Sequence, residues 1–307
     1  MHYDHRMSPS RLVVSIAVLQ LMATAHADAP SIARDDAAKL LWGDATPPAC
    51  SDIDCLIAAR YAGDVKARDL ALAMFHASGD IAGVGLDENM DGGYRGKIHL
   101  VPELPIRGYR QHLVWVSDAM AQIEAFFAAQ FADRNATPSY RWRALGFRFV
   151  RSVGKRTPSA YAGDWTVTYN VSGSLLTSGD GVLETLFHEL FHVNDEAHRD
   201  WSARTLQRDY DAIVAKCGTA MTCLAPFAPN NTTVRGGTYY AFQQNNGNGV
   251  HEYAAELAVR YWKEQREMQT RKRLRQKAFK CGPATNARAW QALVDEFFAG
   301  RDLVPAC

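Results

Sequence analysis

The residues best suited to chemistry lie in TLFHELFHVNDEAHRD, residues 185–200, where His188, Glu189 and His192 form the pattern H-E-x-x-H. In a helix, residues four apart lie on one face, so both histidines can bind one metal ion from the same side. Two imidazoles with a third ligand and an open position are typical of catalytic zinc sites. The pattern therefore predicts Zn²⁺ ligated by His188 and His192, with Glu189 beside the open position as general base.

His198 is one candidate for the third ligand, because it completes the longer pattern H-E-x-x-H-x-x-D-x-x-H, as in metzincins. That geometry requires the helix to end soon after His192, usually at a glycine, where this chain has Asp195. The residues that follow are typical of an uninterrupted helix over 195–217. In such a helix His198 would lie about 15 Å along the axis from His188. We therefore expect His198 not to be a ligand.

Glu252 is the other candidate, in the segment HEYAAELAVRYW. Glu252 and Glu256 are four residues apart and share one helix face. One carboxylate can bind zinc while the other accepts the N–H of a zinc-bound histidine, which orients that ligand. We predict Glu252 as the third ligand and Glu256 as its support. A salt-bridged helix face is the alternative, since Arg260 follows Glu256 by four positions.

These two segments give the chain a resemblance to the gluzincins, the thermolysin-like zincin peptidases, and in particular to the catalytic domain of anthrax lethal factor. The resemblance covers residues 160–265 and rests on two short motifs. In that family an acidic residue follows H-E-x-x-H by three positions, as Asp195 does, so Asp195 is expected to support the site or its helix. The third ligand of the family lies in an E-[FY]-x-A-E-A-like helix, which is matched here by Glu252, Tyr253, Ala255 and Glu256.

The resemblance also implies a tyrosine that hydrogen-bonds the reaction centre from just before the glutamate helix. Its expected position, seven residues before Glu252, is occupied by Asn245. Tyr239 and Tyr240 lie farther upstream, and Tyr240 is our candidate for this catalytic role. The alternative is that both tyrosines only pack.

The fold expected from the resemblance is α+β, a zincin (thermolysin-like) catalytic domain over residues 111–307. A mostly helical N-terminal region, residues 28–110, precedes it as a lobe or a pro-segment. Apolar spacing predicts long helices over 112–133 and 250–269. Alternating segments predict strands over 144–153 and 164–172, the second lining the cleft and binding extended substrate.

Residues 1–27 are typical of a secretory signal peptide, with arginines, a short apolar run and the small-residue triplet Ala25-His26-Ala27. We therefore expect a secreted or periplasmic protein without a later membrane span. An even number of cysteines in such a protein favours disulfides. The sequence does not fix their pairing, but the spacing suggests Cys50–Cys55, Cys217–Cys223 and Cys281–Cys307.

Two polar segments have patterns that are found at other kinds of site. DENMDG, residues 87–92, resembles the start of a calcium loop, but Ile98 occupies the position of the bidentate glutamate, which favours a polar turn. TRKRLRQKAFK, residues 270–280, is strongly basic, but such a run is usually the solvated end of a helix. With a net charge of +1, we expect no nucleic-acid partner.

The predicted function is that of a secreted zinc metallopeptidase acting on proteins or peptides. Three alternatives stay open at this point. They are a zinc-dependent amidase acting on cell-wall peptide, a metzincin-type protease using His198, and a non-catalytic binding protein with a zincin fold.

Overall fold

A computed structural model describes residues 32–92, 96–133, 137–141, 143–234, 236–243 and 248–307. The predicted signal peptide and Asn245 lie outside these residues. The described chain begins with three helices, α1 (Arg34–Trp42), α2 (Ile53–Arg60) and α3 (Val65–Ser78). The Asp52 and Asp64 carboxylates accept hydrogen bonds from first-turn amides of α2 and α3. Because Asx side chains satisfy free amides at helix starts, these helices begin where the sequence places an aspartate.

A six-stranded mixed sheet lies at the centre of the molecule. Its strands run in the spatial order β2-β3-β4-β6-β5, and β1 also pairs with β4, in parallel. β6 is parallel to β4 and antiparallel to β5, which forms one edge. The strands are β1 (Ile81–Val84), β2 (Glu88–Asp91), β3 (Lys97–Pro102), β4 (Gly146–Ser152), β5 (Ala160–Gly163) and β6 (Thr166–Asn170).

The strands predicted over 144–153 and 164–172 are confirmed as β4 and β6. The cleft role given to the second strand was wrong, because β6 is paired on both sides and offers no open edge. The edge belongs to β5, which packs beside α5. β5 has only four residues and no alternating pattern, so periodicity alone did not reveal it.

Helices and a small hairpin complete the fold, and the predicted helices over 112–133 and 250–269 are confirmed as α4 and α8. α5 packs against α4, α8 and β5, which encloses its apolar faces. The remaining elements are α4 (Arg110–Phe131), α5 (Gly179–Ala197), α6 (Trp201–Cys217), α7 (Met221–Leu224), β7 (Thr233–Val234), β8 (Thr238–Tyr239), α8 (Gly249–Arg271) and α9 (Ala284–Phe297).

The region 28–110, predicted to be mostly helical, also contains β1, β2 and β3. One hydrophobic core runs through the described chain and joins Leu41 of α1, Phe147 of β4 and Phe297 of α9. The predicted boundary at residue 110 therefore falls inside a shared core, at the start of α4. The polar turn predicted over 87–92 is strand β2, which pairs with β3 as a hairpin.

The helix predicted without interruption over 195–217 is broken. α5 ends at Ala197, Arg199 and Asp200 adopt left-handed φ values of 61° and 53°, and α6 begins at Trp201. The cause is Asp195, whose carboxylate accepts hydrogen bonds from Ser202 N at 2.7 Å and Ser202 Oγ at 2.5 Å. A side chain of α5 thus caps the first turn of α6, which helix-like apolar spacing cannot indicate.

Three disulfides, Cys50–Cys55, Cys217–Cys223 and Cys281–Cys307, confirm the pairing that the spacing suggested. Disulfides persist in oxidising compartments, so these bridges indicate an extracellular or similar environment. Within the part of the chain that the structure describes, no helix combines the length and the apolar character needed to cross a bilayer.

We expect Asp195→Ala to lower the free energy of unfolding by about 1–3 kcal/mol, because two buried donors of Ser202 would lose their acceptor. Urea unfolding monitored by circular dichroism measures the change. Asp211→Ala is the matched control, since Asp211 is exposed on α6, the helix that Asp195 caps, and should matter little. Equal losses in the two variants would contradict the capping role of Asp195.

Candidate metal site

Two helices bring the site together. In α5, Ser178 Oγ accepts a hydrogen bond from Gly181 N and so fixes the first turn, while a wide buried surface holds the helix in the core. α8 starts at Gly249 against Tyr210 of α6. A Cβ added at Gly249 would lie 2.2 Å from the Tyr210 hydroxyl oxygen, so a larger residue at the start of α8 would displace the Tyr210 side chain.

The structure brings His188, His192 and Glu252 together, and one donor atom from each lies within 4.8 Å of the others. His188 Nε2 is 3.1 Å from His192 Nε2 and 3.1 Å from Glu252 Oε2, and His192 Nε2 is 3.9 Å from the same oxygen. Tetrahedral zinc with bonds of about 2.0–2.1 Å separates its ligand atoms by about 3.3 Å. The observed separations fit that requirement, and the two nitrogens and one carboxylate suit zinc.

Glu256 and Asn230 support this group from behind. His188 Nδ1 lies 3.5 Å from Glu256 Oε1. Asn230 Nδ2 donates to Glu256 Oε2 at 3.0 Å and to the Glu256 main-chain oxygen at 2.8 Å. A carboxylate at Nδ1 favours the tautomer whose Nε2 is free to ligate a metal. Both supporting residues are buried, so the second nitrogen of His188 is held away from water.

Asn230 was missed in the sequence. It lies in the loop between α7 and β7, and no spacing relates it to either motif. Its role depends on a tertiary contact with α8. In the sequence, Asn230 is distinguished only as a polar residue in a short loop segment, and its burial becomes visible only in the fold.

The charges of the site favour a cation. Burial alone would lower the pKa of His188, but hydrogen bonds with Glu252 and Glu256 raise it well above its ordinary value. Burial, with the nearby charge of His188, lowers the pKa of His192 to about 4. Burial would raise the pKa of Glu252, but His188 and His192 lower it to about 2. One neutral imidazole and an ionised carboxylate are therefore ready to act as ligands.

Glu189 follows His188 on α5 and is buried, with 7% of its surface exposed. Burial raises the pKa of this carboxyl to about 7, while the charge of His188 opposes the shift and that of Glu252 adds to it. A carboxyl that titrates near neutrality can both take up and release a proton. Glu189 can therefore exchange a proton near neutral pH whereas Glu252 stays ionised, although both carboxylates interact with His188.

Tyr240 lies beside the ligands, in the turn of 3-10 helix Tyr240–Phe242 that follows β8. Its ring centroid is 5.8 Å from that of His188, and a hydrogen bond from its side chain helps to lower the pKa of Glu252. Tyr239, in contrast, is part of β8 and pairs with Thr233. Of the two tyrosines, Tyr240 is the one that the structure places at the group.

His198 lies elsewhere. Its Nδ1 is 2.5 Å from Glu296 Oε1 on α9, and its Nε2 is 3.4 Å from the main-chain oxygen of Ser139. Among the described residues, the grouping of metal-binding donors at this helix contains His188, His192 and Glu252 and excludes His198. Asp195 is occupied by Ser202 and stabilises α6.

Metal content distinguishes the two third-ligand candidates. We expect the wild type and His198→Ala to retain bound zinc, and Glu252→Ala to lose it, because Glu252, unlike His198, has a donor atom within 4.8 Å of those of the two histidines. The measurement is metal analysis of the full chain after dialysis, with circular dichroism to confirm folding. Zinc lost from folded His198→Ala and retained by Glu252→Ala would reverse the assignment.

Asn230→Leu should weaken zinc affinity by about 10–100-fold, because Glu256 would lose the donor that holds it against His188. Competition with a fluorescent chelator measures the dissociation constant. Asn231→Leu is the matched control, since its side chain is exposed one residue away and should leave the affinity unchanged. An Asn230→Leu chain with wild-type affinity would show that Glu256 needs no such support.

Comparisons with known proteins identify no relative of this chain. No protein-family model, no curated protein and no solved structure matches the chain. The arrangement of side chains between α5 and α8 is therefore the basis on which a function can be assigned.

Proposed function

We propose that the protein is a zinc-dependent peptidase of the gluzincin type, exported to the cell exterior or the periplasm. The observation that carries the proposal is the convergence of His188, His192 and Glu252 from two helices, with Glu189 buried beside them. This is the ligand set and the base that the resemblance to lethal-factor-like proteins implies. The three disulfides support the oxidising compartment.

Bound zinc would supply Lewis acidity for the attack of water on a carbonyl. The chain supplies the proton transfers. Glu189 takes the proton of the attacking water and passes it to the leaving amine, a role that suits a buried carboxyl with a pKa of about 7. Tyr240, which contacts His188 and Glu252, is placed to donate a hydrogen bond to the developing oxyanion.

A peptide substrate is supported by β5, the terminal strand of the described sheet, which lies beside the helix that carries Glu189. An extended peptide can add to such an edge through main-chain hydrogen bonds, and these do not depend on substrate sequence. The proposal of a zincin fold is supported by the mixed sheet, by α5 beside its edge strand and by the third candidate ligand on a later helix.

Glu189→Gln is the direct test. It should lower kcat on a casein or fluorogenic peptide substrate by about 10²–10⁴-fold, because the base is lost, while zinc content stays at the wild-type level. Peptidoglycan is tested in parallel, and its cleavage would identify the protein as a cell-wall amidase.

The matched control is Glu196→Gln, an exposed glutamate on the same helix that accepts a hydrogen bond from Asp164 N. It should retain wild-type activity. Full zinc-dependent peptidase activity in Glu189→Gln would refute the mechanism.

A further inference from the structure

The segment after α8 is strongly basic. Residues 271–280 contain six lysines and arginines and no acidic residue, in a chain whose net charge is only +1. The rest of the chain therefore carries a formal charge of −5, obtained by removing these six positive charges. Five of the basic side chains are exposed, those of Arg271, Lys272, Arg273, Arg275 and Lys277.

Four of these cations have no anionic neighbour among the described residues. Arg275 pairs with Glu267 at 3.6 Å, and the less exposed Lys280 pairs with Asp302 at 2.8 Å. Within the described ranges, the side chains of the remaining four, Arg271, Lys272, Arg273 and Lys277, form no ion pair, although the main-chain oxygen of Lys277 accepts a hydrogen bond from Arg260. Like charges so close in sequence repel one another, and an anion bound there would relieve the repulsion.

This basic segment adjoins a groove of about 740 Å³ between the first half of α5 and the second half of α8. Arg271 and Arg275 line the groove as well as belonging to the basic segment. Two acidic residues of the groove are already neutralised, Glu184 by Lys263 at 2.6 Å and Glu264 by Arg260 at 2.6 Å. Glu267 pairs with Arg275, and Asp180 is the fourth acidic residue of the lining, against five lysines and arginines, so the lining keeps a small excess of positive charge that the adjoining basic segment increases.

The lining also offers apolar contact. Leu274 lines the groove and is half-buried, while the buried ring of Trp262 forms its floor with the Arg266 guanidinium 5.5 Å from the ring centroid. A nucleic acid or a sulfated glycan carries a charge on every unit, whereas the lining has only a small excess of positive charge and also contains Leu274. A peptide with several acidic residues around an apolar one matches the lining better.

We propose that the groove and the cations Arg271, Arg273 and Lys277 bind an acidic segment of the protein substrate, remote from the bond that is cleaved. This inference rests on the proposed function, because it names the substrate class of the same site. α5 and α8 carry both the groove and the metal ligands, so substrate held in the groove is fixed relative to Glu189.

The helices set the spacing within that substrate. Arg271 follows Glu252 by 19 positions on α8, which is about 28 Å at 1.5 Å per residue. An extended peptide spans this distance with about eight or nine residues. The acidic segment should therefore lie at least about eight residues from the scissile bond.

The binding test uses the full chain with Glu189→Gln, so that substrate is not cleaved. Fluorescence anisotropy measures the affinity of a labelled peptide in which glutamates and aspartates surround one leucine. The combined change Arg271→Gln, Arg273→Gln and Lys277→Gln should weaken binding by about tenfold at low ionic strength. Added salt should weaken wild-type binding in the same direction.

Lys66→Gln, Lys97→Gln and Arg208→Gln together are the matched control, because these exposed residues on α3, β3 and α6 remove the same net charge elsewhere. This control variant should bind the peptide with the same affinity as the chain in which the three groove cations are intact. Equal weakening in both triple variants, equal binding of a glutamine and asparagine version of the peptide, or tighter binding of single-stranded DNA or heparin would overturn the proposal.

Cleavage separates this inference from the proposed function. Wild type should cleave a peptide carrying the distant acidic segment with a higher kcat/KM than the same peptide without it, and the groove variant should lose only that advantage. If the acidic peptide binds through the three cations but no peptide is cleaved, the groove is confirmed as a binding site and the proposed peptidase function is rejected. Cleavage of both peptides with equal kcat/KM would reject the groove and keep the peptidase.

Discussion

The position of the His188 ring between carboxylates of α8 is the contact on which the site depends. One nitrogen faces Glu252 and His192, and the other faces Glu256. Two buried acidic groups around one imidazole would repel each other if no positive charge lay among them. The pairs that extend this contact, Glu184 with Lys263 and Phe187 with Trp262, show that α5 and α8 run antiparallel. Rotation of either helix would therefore disturb every ligand at once.

The loop between α7 and β7 connects the support of His188 to Tyr240, which lies beside the same group. Asn230 holds Glu256, and two residues later the main-chain oxygen of Thr232 accepts a hydrogen bond from Tyr240 N at 2.8 Å. The same segment thus fixes the support behind His188 and the tyrosine beside it. Movement of this loop would change the surroundings of His188 Nδ1 and the position of Tyr240 together, so the two sides of the group are not independent.

A feature could be predicted from the sequence when it depends on residues that lie close together along one helix. His188 with His192, and Glu252 with Glu256, were accessible because helical periodicity fixes which side chains share a face. Asn230 and the edge strand β5 were not, since one acts through a tertiary contact and the other has four residues without a pattern. The break after Ala197 was hidden because a distant carboxylate caps α6, while the apolar spacing continues across the gap.

The contact at the start of α8 has a consequence for the candidate metal site. Tyr210 of α6 packs on Gly249, and α6 is itself capped from α5 by Asp195. α5, α6 and α8 therefore form a closed ring of contacts, in which each helix is fixed by the other two. The helices that carry His188, His192 and Glu252 are therefore held in place by contacts that need no ion. The side chains of His192 and Glu252, each 19% exposed, reach the surface, so an ion could enter or leave from that side without the opening of a helix.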